Sequence, residues 1–181
     1  MVDKGVNIYV GASSIRTCLG NKSETLSAMQ KGESGLGYSN EASMYIGYSD
    51  VKEHANFTRF ESLLIEQLHS VVADSKIDLS DSDTQLIISS TKGNISHLAS
   101  DCENVADRAF IDVSALVIAD YFNCHNKPLV ISNACISGVS AFVVARWMLT
   151  TGKCRHAVVA GCDALCEFIT SGFASFKSIG S

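Results

Sequence analysis

Hydrophobic positions along the chain follow two spacings. Short continuous apolar runs occur at residues 6–12 (VNIYVGA), 84–91 (TQLIISST), 128–134 (PLVISNA) and 156–164 (HAVVAGCDA), each bounded by glycine, proline or polar residues. Runs of this length predict strands buried on both faces. Between them the spacing becomes helical. In TRFESLLIEQLHSVVADS (58–75), Phe60, Leu63, Leu64, Leu68, Val71 and Val72 fall on one face, which predicts an amphipathic helix. NKSETLSAMQKG (21–32) predicts a short helix carrying Leu26 and Met29 and stopped by Gly32. DVSALVIADYF (112–122) predicts another, and residues 135–151 one more, closed by Gly152. Residues 136–149 are apolar nearly all the way round, the pattern of a buried helix rather than a surface one.

The remaining segments connect these elements. Residues 33–54 read as irregular with one short strand at 44–46, residues 98–108 as broken helix, and KIDLSDSDT (76–84) as an acidic, solvated turn. Pro128, the only proline, stands at a strand start, where its missing N–H costs least. Strands alternating with helices predict an α/β fold with a mostly parallel sheet flanked by helices. No repeat, low-complexity tract or linker divides it, so residues 1–181 read as one domain.

Composition narrows the partners. At 46% hydrophobic and 18% charged residues, the chain can fill a core. A formal charge of −5 with scattered basic residues disfavours nucleic acid as the partner. No apolar run reaches the roughly 18 residues of a membrane span, and the opening MVDKGVNIYVG lacks the pattern of a secretory leader. Seven cysteines, mostly inside apolar segments, fit a reduced cytoplasmic protein better than a disulfide scaffold.

Cys135 is the candidate nucleophile. It lies where the run LVIS ends and a helix begins, among the small residues Ala134, Ser137, Gly138 and Ser140. A thiol at the first turn of a buried helix meets unpaired N–H groups and the positive end of the helix dipole, which favour the thiolate. The same N–H groups could hold the oxyanion of an acyl intermediate. The opposing reading is an inert core thiol, since free cysteine is among the most buried residue types. A nucleophile-elbow hydrolase requires glycine two residues either side of the nucleophile, and Asn133 and Ser137 stand there instead. No metal site is expected: Cys154, Cys162 and Cys166 lack paired spacing and read as core thiols. No cofactor is expected either, because GESGLG (32–37) follows no strand and is neither a P-loop nor a dinucleotide fingerprint.

Beyond this local reading, SNACISGVSAFVVARWMLTTGKCRHAVVAGCDA resembles the active-site region of the β-ketoacyl-[acyl-carrier-protein] synthases of the I/II type, condensing enzymes of fatty-acid and polyketide synthesis. Their motif A-C-x-[ST]-G is matched by Ala134, Cys135, Ser137 and Gly138. Gly152 follows, then Ala160-Gly161-Cys162-Asp163 for AGG-x-[DE], with Cys162 in place of the second glycine. The segments IYVGASSIRTCLGNKSETLSAMQKGESGL, LIISSTKGN and SGFASFKSIGS resemble further family anchors in the same order.

The resemblance implies the N-terminal half of a thiolase-like fold, with Cys135 on a buried nucleophile helix. It implies that Cys135 takes an acyl group as thioester from an acyl carrier protein, then meets a decarboxylating malonyl-loaded carrier. It also implies a homodimer or a ketosynthase partner subunit. The family's two catalytic histidines, lysine and phenylalanine gate belong to a second half without counterpart in these 181 residues. His54, His69, His97, His125 and His156 match none of those positions and read as surface or structural. The chain alone is therefore expected to be incompetent in condensation. Arg59 and Arg108 stand as counterparts of the family's basic carrier contacts, and DVSALVIADYF as the helix that reaches a dimer partner's acyl pocket. The alternative is a non-catalytic dimerisation or scaffold partner, favoured by the missing histidines and opposed by the retained Cys135.

Overall fold

A computed structural model describes residues 6–52, 54–99 and 106–176. Two short ribbons open the chain. β1 (Arg16–Thr17) and β2 (Gly20–Asn21) pair antiparallel and lead into α1 (Lys22–Gln30). Asn21 caps α1, taking the Ser23 and Glu24 amides while Glu24 takes the Asn21 amide. The helix stops at Gly32, whose φ of +70° suits a residue without a side chain. Leu26 and Met29 point to solvent and Thr25 and Ala28 are buried, because the helix sits only on the small β1–β2 ribbon. The short strand expected at 44–46 is present: β3 (Gly37–Ser39) and β4 (Met44–Ile46) form a hairpin.

α2 (Arg59–Ser75) begins at a second capping box, Thr58 with Glu61, and ends at Lys76 in the left-handed region. It leads to β5 (Thr84–Ser89), all six residues of which are buried. Of the region expected as broken helix, residues 100–105 lie outside the described residues, and short 3-10 turns at Ile95–Ala99 and Ala106–Ala109 stand on either side. Then follow α3 (Ile111–Tyr121), β6 (Leu129–Ile131), α4 (Ser137–Thr150), β7 (His156–Gly161) and α5 (Glu167–Ser175).

The sheet order is β6-β5-β7, both pairings parallel, with Ser89 level with Ile131 and with Gly161. Alternation along β5 sends Leu86 and Ile88 to one face and Ile87 to the other. On the first face they meet Phe60, Leu64, Ile65 and Leu68 of α2 and Ala115 and Ile118 of α3. On the second, Ile87 meets Ala141, Ala145 and Met148 of α4.

Two expectations need correcting. Residues 6–12 form no ladder; Tyr9 and Val10 are 82% and 80% exposed. This segment lines a cleft along β7 without joining its ladder. α4 is buried on one side only. Ser137, Ala141, Ala145 and Met148 face the sheet, while Ile136, Val139, Phe142, Val143 and Trp147 are exposed, Val139 at 66%. The all-round apolar pattern calls for a second covering layer that these residues do not supply.

Candidate active site

The chain leaves β5 for β6 on one side, then crosses through α4 to β7 on the other. Such a reversal opens a crevice at the carboxyl ends of parallel strands, where α/β sheets bind ligands. Here the crevice is a cavity of about 330 Å³ lined by Ser89, Ser90 and Thr91 after β5, Ala134, Cys135, Ser137 and Gly138 between β6 and α4, and Gly161, Cys162 and Asp163 after β7.

Cys135 lies two residues before the first turn of α4 and its side chain is exposed. The helix thus starts later than the pattern suggested, because a tight turn intervenes. Ala134 adopts φ +44°, a left-handed conformation uncommon for a residue with a Cβ. Ser137 holds this turn: its buried hydroxyl accepts from the Asn133 amide at 2.8 Å and donates to the Ala134 carbonyl at 2.7 Å. Asn133 Nδ2 adds a bond to Ser140 Oγ at 3.0 Å. The Ser137 of the A-C-x-[ST]-G pattern is therefore a clasp for the turn that presents the thiol. No neighbour stands within 4 Å of where a Cβ would project from Gly138, so the space beside Cys135 is open.

The opposite wall is tied by Asp163. Its Oδ1 accepts from Ser90 Oγ at 2.9 Å, from the Thr91 amide at 2.9 Å and from Thr91 Oγ1 at 2.7 Å. Ser90 Oγ in turn accepts from the Gly93 amide at 2.9 Å. A Cβ on Gly161 would come within 2.8 Å of Ser89 Oγ, which explains glycine at this strand end. The sequence reading missed the Ser90–Thr91 half of this clasp. Its only signal was a polar SST closing an otherwise apolar strand.

The two cysteines of the cavity differ. Burial, reinforced by the Asp163 charge and opposed by Arg59, pushes the Cys162 thiol up to about 12, so it stays protonated and inert near neutrality. Cys135 is the thiol open to an incoming electrophile. Burial also raises the Cys124 and Cys154 thiols. Among the described residues no three His, Cys, Asp or Glu side chains converge as a metal site requires.

Among the described residues no histidine lines the cavity. His69 sits on α2, with Nε2 2.9 Å from the Tyr121 hydroxyl and its ring against Tyr121 and Phe122. His156 opens β7 and donates its amide to the Asp83 carbonyl. The two arginines singled out as carrier contacts are engaged within the chain. Arg108 pairs with buried Glu61 at 2.8 Å and donates to the Asn56 carbonyl. Arg59 donates to the Ser49 carbonyl and stacks 3.8 Å over the Tyr48 ring. No helix among the described residues is long and apolar enough to cross a membrane.

A parallel α/β sheet with a lone exposed thiol at its strand–helix reversal defines a thiolase-like arrangement. The sequence matches the family described as "Beta-ketoacyl synthase, N-terminal domain" over residues 9–180, and the chain belongs to that family. The fold is similar to the crystal structure of a beta-ketoacyl synthase from Burkholderia phymatum STM815, with a TM-score of 0.74 at 15% identity over 92% of this chain. The match covers 49% of that structure, so the chain spans about half its length. No curated protein matches the chain in sequence.

Proposed function

We propose that this chain is the nucleophile-bearing half of a β-ketoacyl synthase and that Cys135 is its acyl acceptor. The observation that carries the reading is the exposed thiol of Cys135 in a cavity at the carboxyl ends of three parallel strands. In the first step the Cys135 thiolate attacks the carbonyl of an acyl thioester on a carrier protein and expels the carrier thiolate, which takes up a proton. In the second step a malonyl thioester loses carbon dioxide. The resulting carbanion attacks the acyl–Cys135 thioester, expels the Cys135 thiolate and leaves a 3-oxoacyl chain longer by two carbons. Splitting the condensation this way is covalent catalysis.

The second step needs groups that stabilise the enolate, and among the described residues no histidine lines the cavity. The outward face of α4 begins at Ile136, directly beside Cys135, and is apolar and exposed. That supports a second domain lying over α4 and bringing acid–base groups to the thiol. The same face supports association as a homodimer or with a ketosynthase partner subunit. The six described cysteines are free, which supports a reducing, cytoplasmic setting.

The test is to offer acyl- and malonyl-loaded carrier proteins to the 181-residue chain. An acyl adduct on Cys135 detected by mass spectrometry, absent in Cys135→Ser, with no elongated product, is the expected result. An unmodified Cys135 would overturn the acceptor role, and elongation at ketosynthase rates would overturn the need for a second domain. A scaffold role is the second reading, favoured by the absence of histidine from the cavity wall. It gains if Cys135→Ser leaves an assembled ketosynthase fully active.

A further inference from the structure

The cavity beside Cys135 holds a polar group that neither step above uses. Four hydroxyl side chains line it. Three are engaged within the chain: Ser90 and Thr91 donate to Asp163 Oδ1, and Ser137 donates to the Ala134 carbonyl. The fourth belongs to Ser89, the last residue of β5. Ser89 is 3% exposed, and its hydroxyl makes no hydrogen bond among the described residues.

The strand sets the direction of this hydroxyl. Side chains alternate along β5. Ile87 faces α4, so Ser89, two residues on, faces α4 as well. Level with it stand Ile131 of β6, which also packs on the α4 side, and Gly161 of β7. A Cβ on Gly161 would come within 2.8 Å of Ser89 Oγ. The glycine therefore leaves the hydroxyl uncovered on the β7 side, in the space that the Cys135 turn borders.

That space is small. At about 330 Å³ it lies at the lower end of the roughly 300–1,000 Å³ of small-molecule sites. A buried hydroxyl without a partner costs free energy that a ligand oxygen recovers. A saturated acyl chain has no oxygen beyond its thioester, and its methylenes would leave Ser89 unmet. A hydroxyl on C3 can donate to Ser89 and accept from it. C3 is also the carbon at which the condensation described above leaves an oxygen.

We propose that Ser89 is a specificity-determining residue: its hydroxyl bonds an oxygen on C3 of the acyl group that Cys135 carries, so the site favours short 3-hydroxyacyl groups over saturated ones. The assignment rests on Cys135 as the acyl acceptor. Ser89 takes no part in bond making; it sets the difference in binding between two acyl groups.

Two measurements on the full 181-residue chain test this. The first compares acylation of Cys135 by 3-hydroxybutyryl- and butyryl-loaded carrier protein, followed by intact mass. The 3-hydroxy group is expected to transfer about tenfold faster. Ser89→Ala should bring the two rates together, and so should Gly161→Ala, whose Cβ displaces the hydroxyl. The second needs no acyl transfer: 3-hydroxybutanamide should protect Cys135 from iodoacetamide at about a tenth of the concentration that butanamide requires. Equal transfer rates, equal protection, or a preference that survives in Ser89→Ala would overturn the assignment and leave Cys135 as acceptor. Unequal protection lost in Ser89→Ala, with neither thioester acylating Cys135, would uphold Ser89 as the group that selects the ligand and overturn the acceptor role. An absence of both acylation and protection would overturn both.

Discussion

Two long apolar helices lie on opposite faces of one three-stranded sheet, and only one of them is finished. α2, backed by α3, seals its face with Phe60, Leu64, Ile65 and Leu68, none more than 2% exposed. α4 seats only small or slim residues, Ala141, Ala145 and Met148, on the opposite face and turns Phe142, Val143 and Trp147 outward. The difference is not one of hydrophobicity, since α4 is the more apolar of the two. It is one of layers. A helix that is apolar all round needs a neighbour on each side, and the described residues supply one. The site sits at the junction: its floor belongs to the finished part and its thiol opens toward the unfinished one.

The contrast can be broken by mutation. Ile65→Ala, on the sealed face, should cost about 2–5 kcal/mol in urea unfolding. Phe142→Ala, at 62% exposure, should cost under about 1 kcal/mol. Equal losses would mean that α4 is covered in solution. Asp163→Ala should cost about 0.5–1.5 kcal/mol and speed exchange at the Thr91 amide, because it releases three hydrogen bonds at the cavity wall.

Titration probes the same junction. The Cys162 thiol is raised from an ordinary value of 9.0 to about 12 in the folded chain. The folded state then holds its proton where the unfolded state has lost it. This contribution is present in full below about pH 9 and is lost as pH rises toward 12. Comparing unfolding midpoints of the parent and Cys162→Ala across that window should show the steeper decline in the parent. Iodoacetamide at pH 8 should correspondingly label Cys135 in preference to Cys162. The smallest thermodynamic effect belongs to Val143→Lys on the open face of α4, which should change stability by less than about 0.5 kcal/mol. Its readout is size: light scattering of the parent chain should show association that the variant lacks.

How much of this was legible beforehand depended on range. The helical spacing of residues 58–75 and the continuous run of β5 are local patterns that formed where they stood, while the helix after Cys135 began two residues later than its pattern. The A-C-x-[ST]-G stretch likewise marked Cys135 and Ser137, although only the fold revealed Ser137 as the clasp on Ala134. Contacts between distant segments had no local trace. Asp163 reaches Ser90 and Thr91 more than seventy residues away, and Arg59 and Arg108 reach Ser49 and Glu61.

The clearest failure was residues 6–12, as apolar as any strand of the sheet yet unpaired. Sequence alone determined which segments must leave water and in what local shape, because periodicity and turn chemistry are properties of neighbours. The tertiary structure decided what each apolar surface meets, because burial needs a partner surface and the free-energy gain is the same whichever surface supplies it. For β5 and α2 that partner lies within the chain. For the outer face of α4 no described residue supplies it.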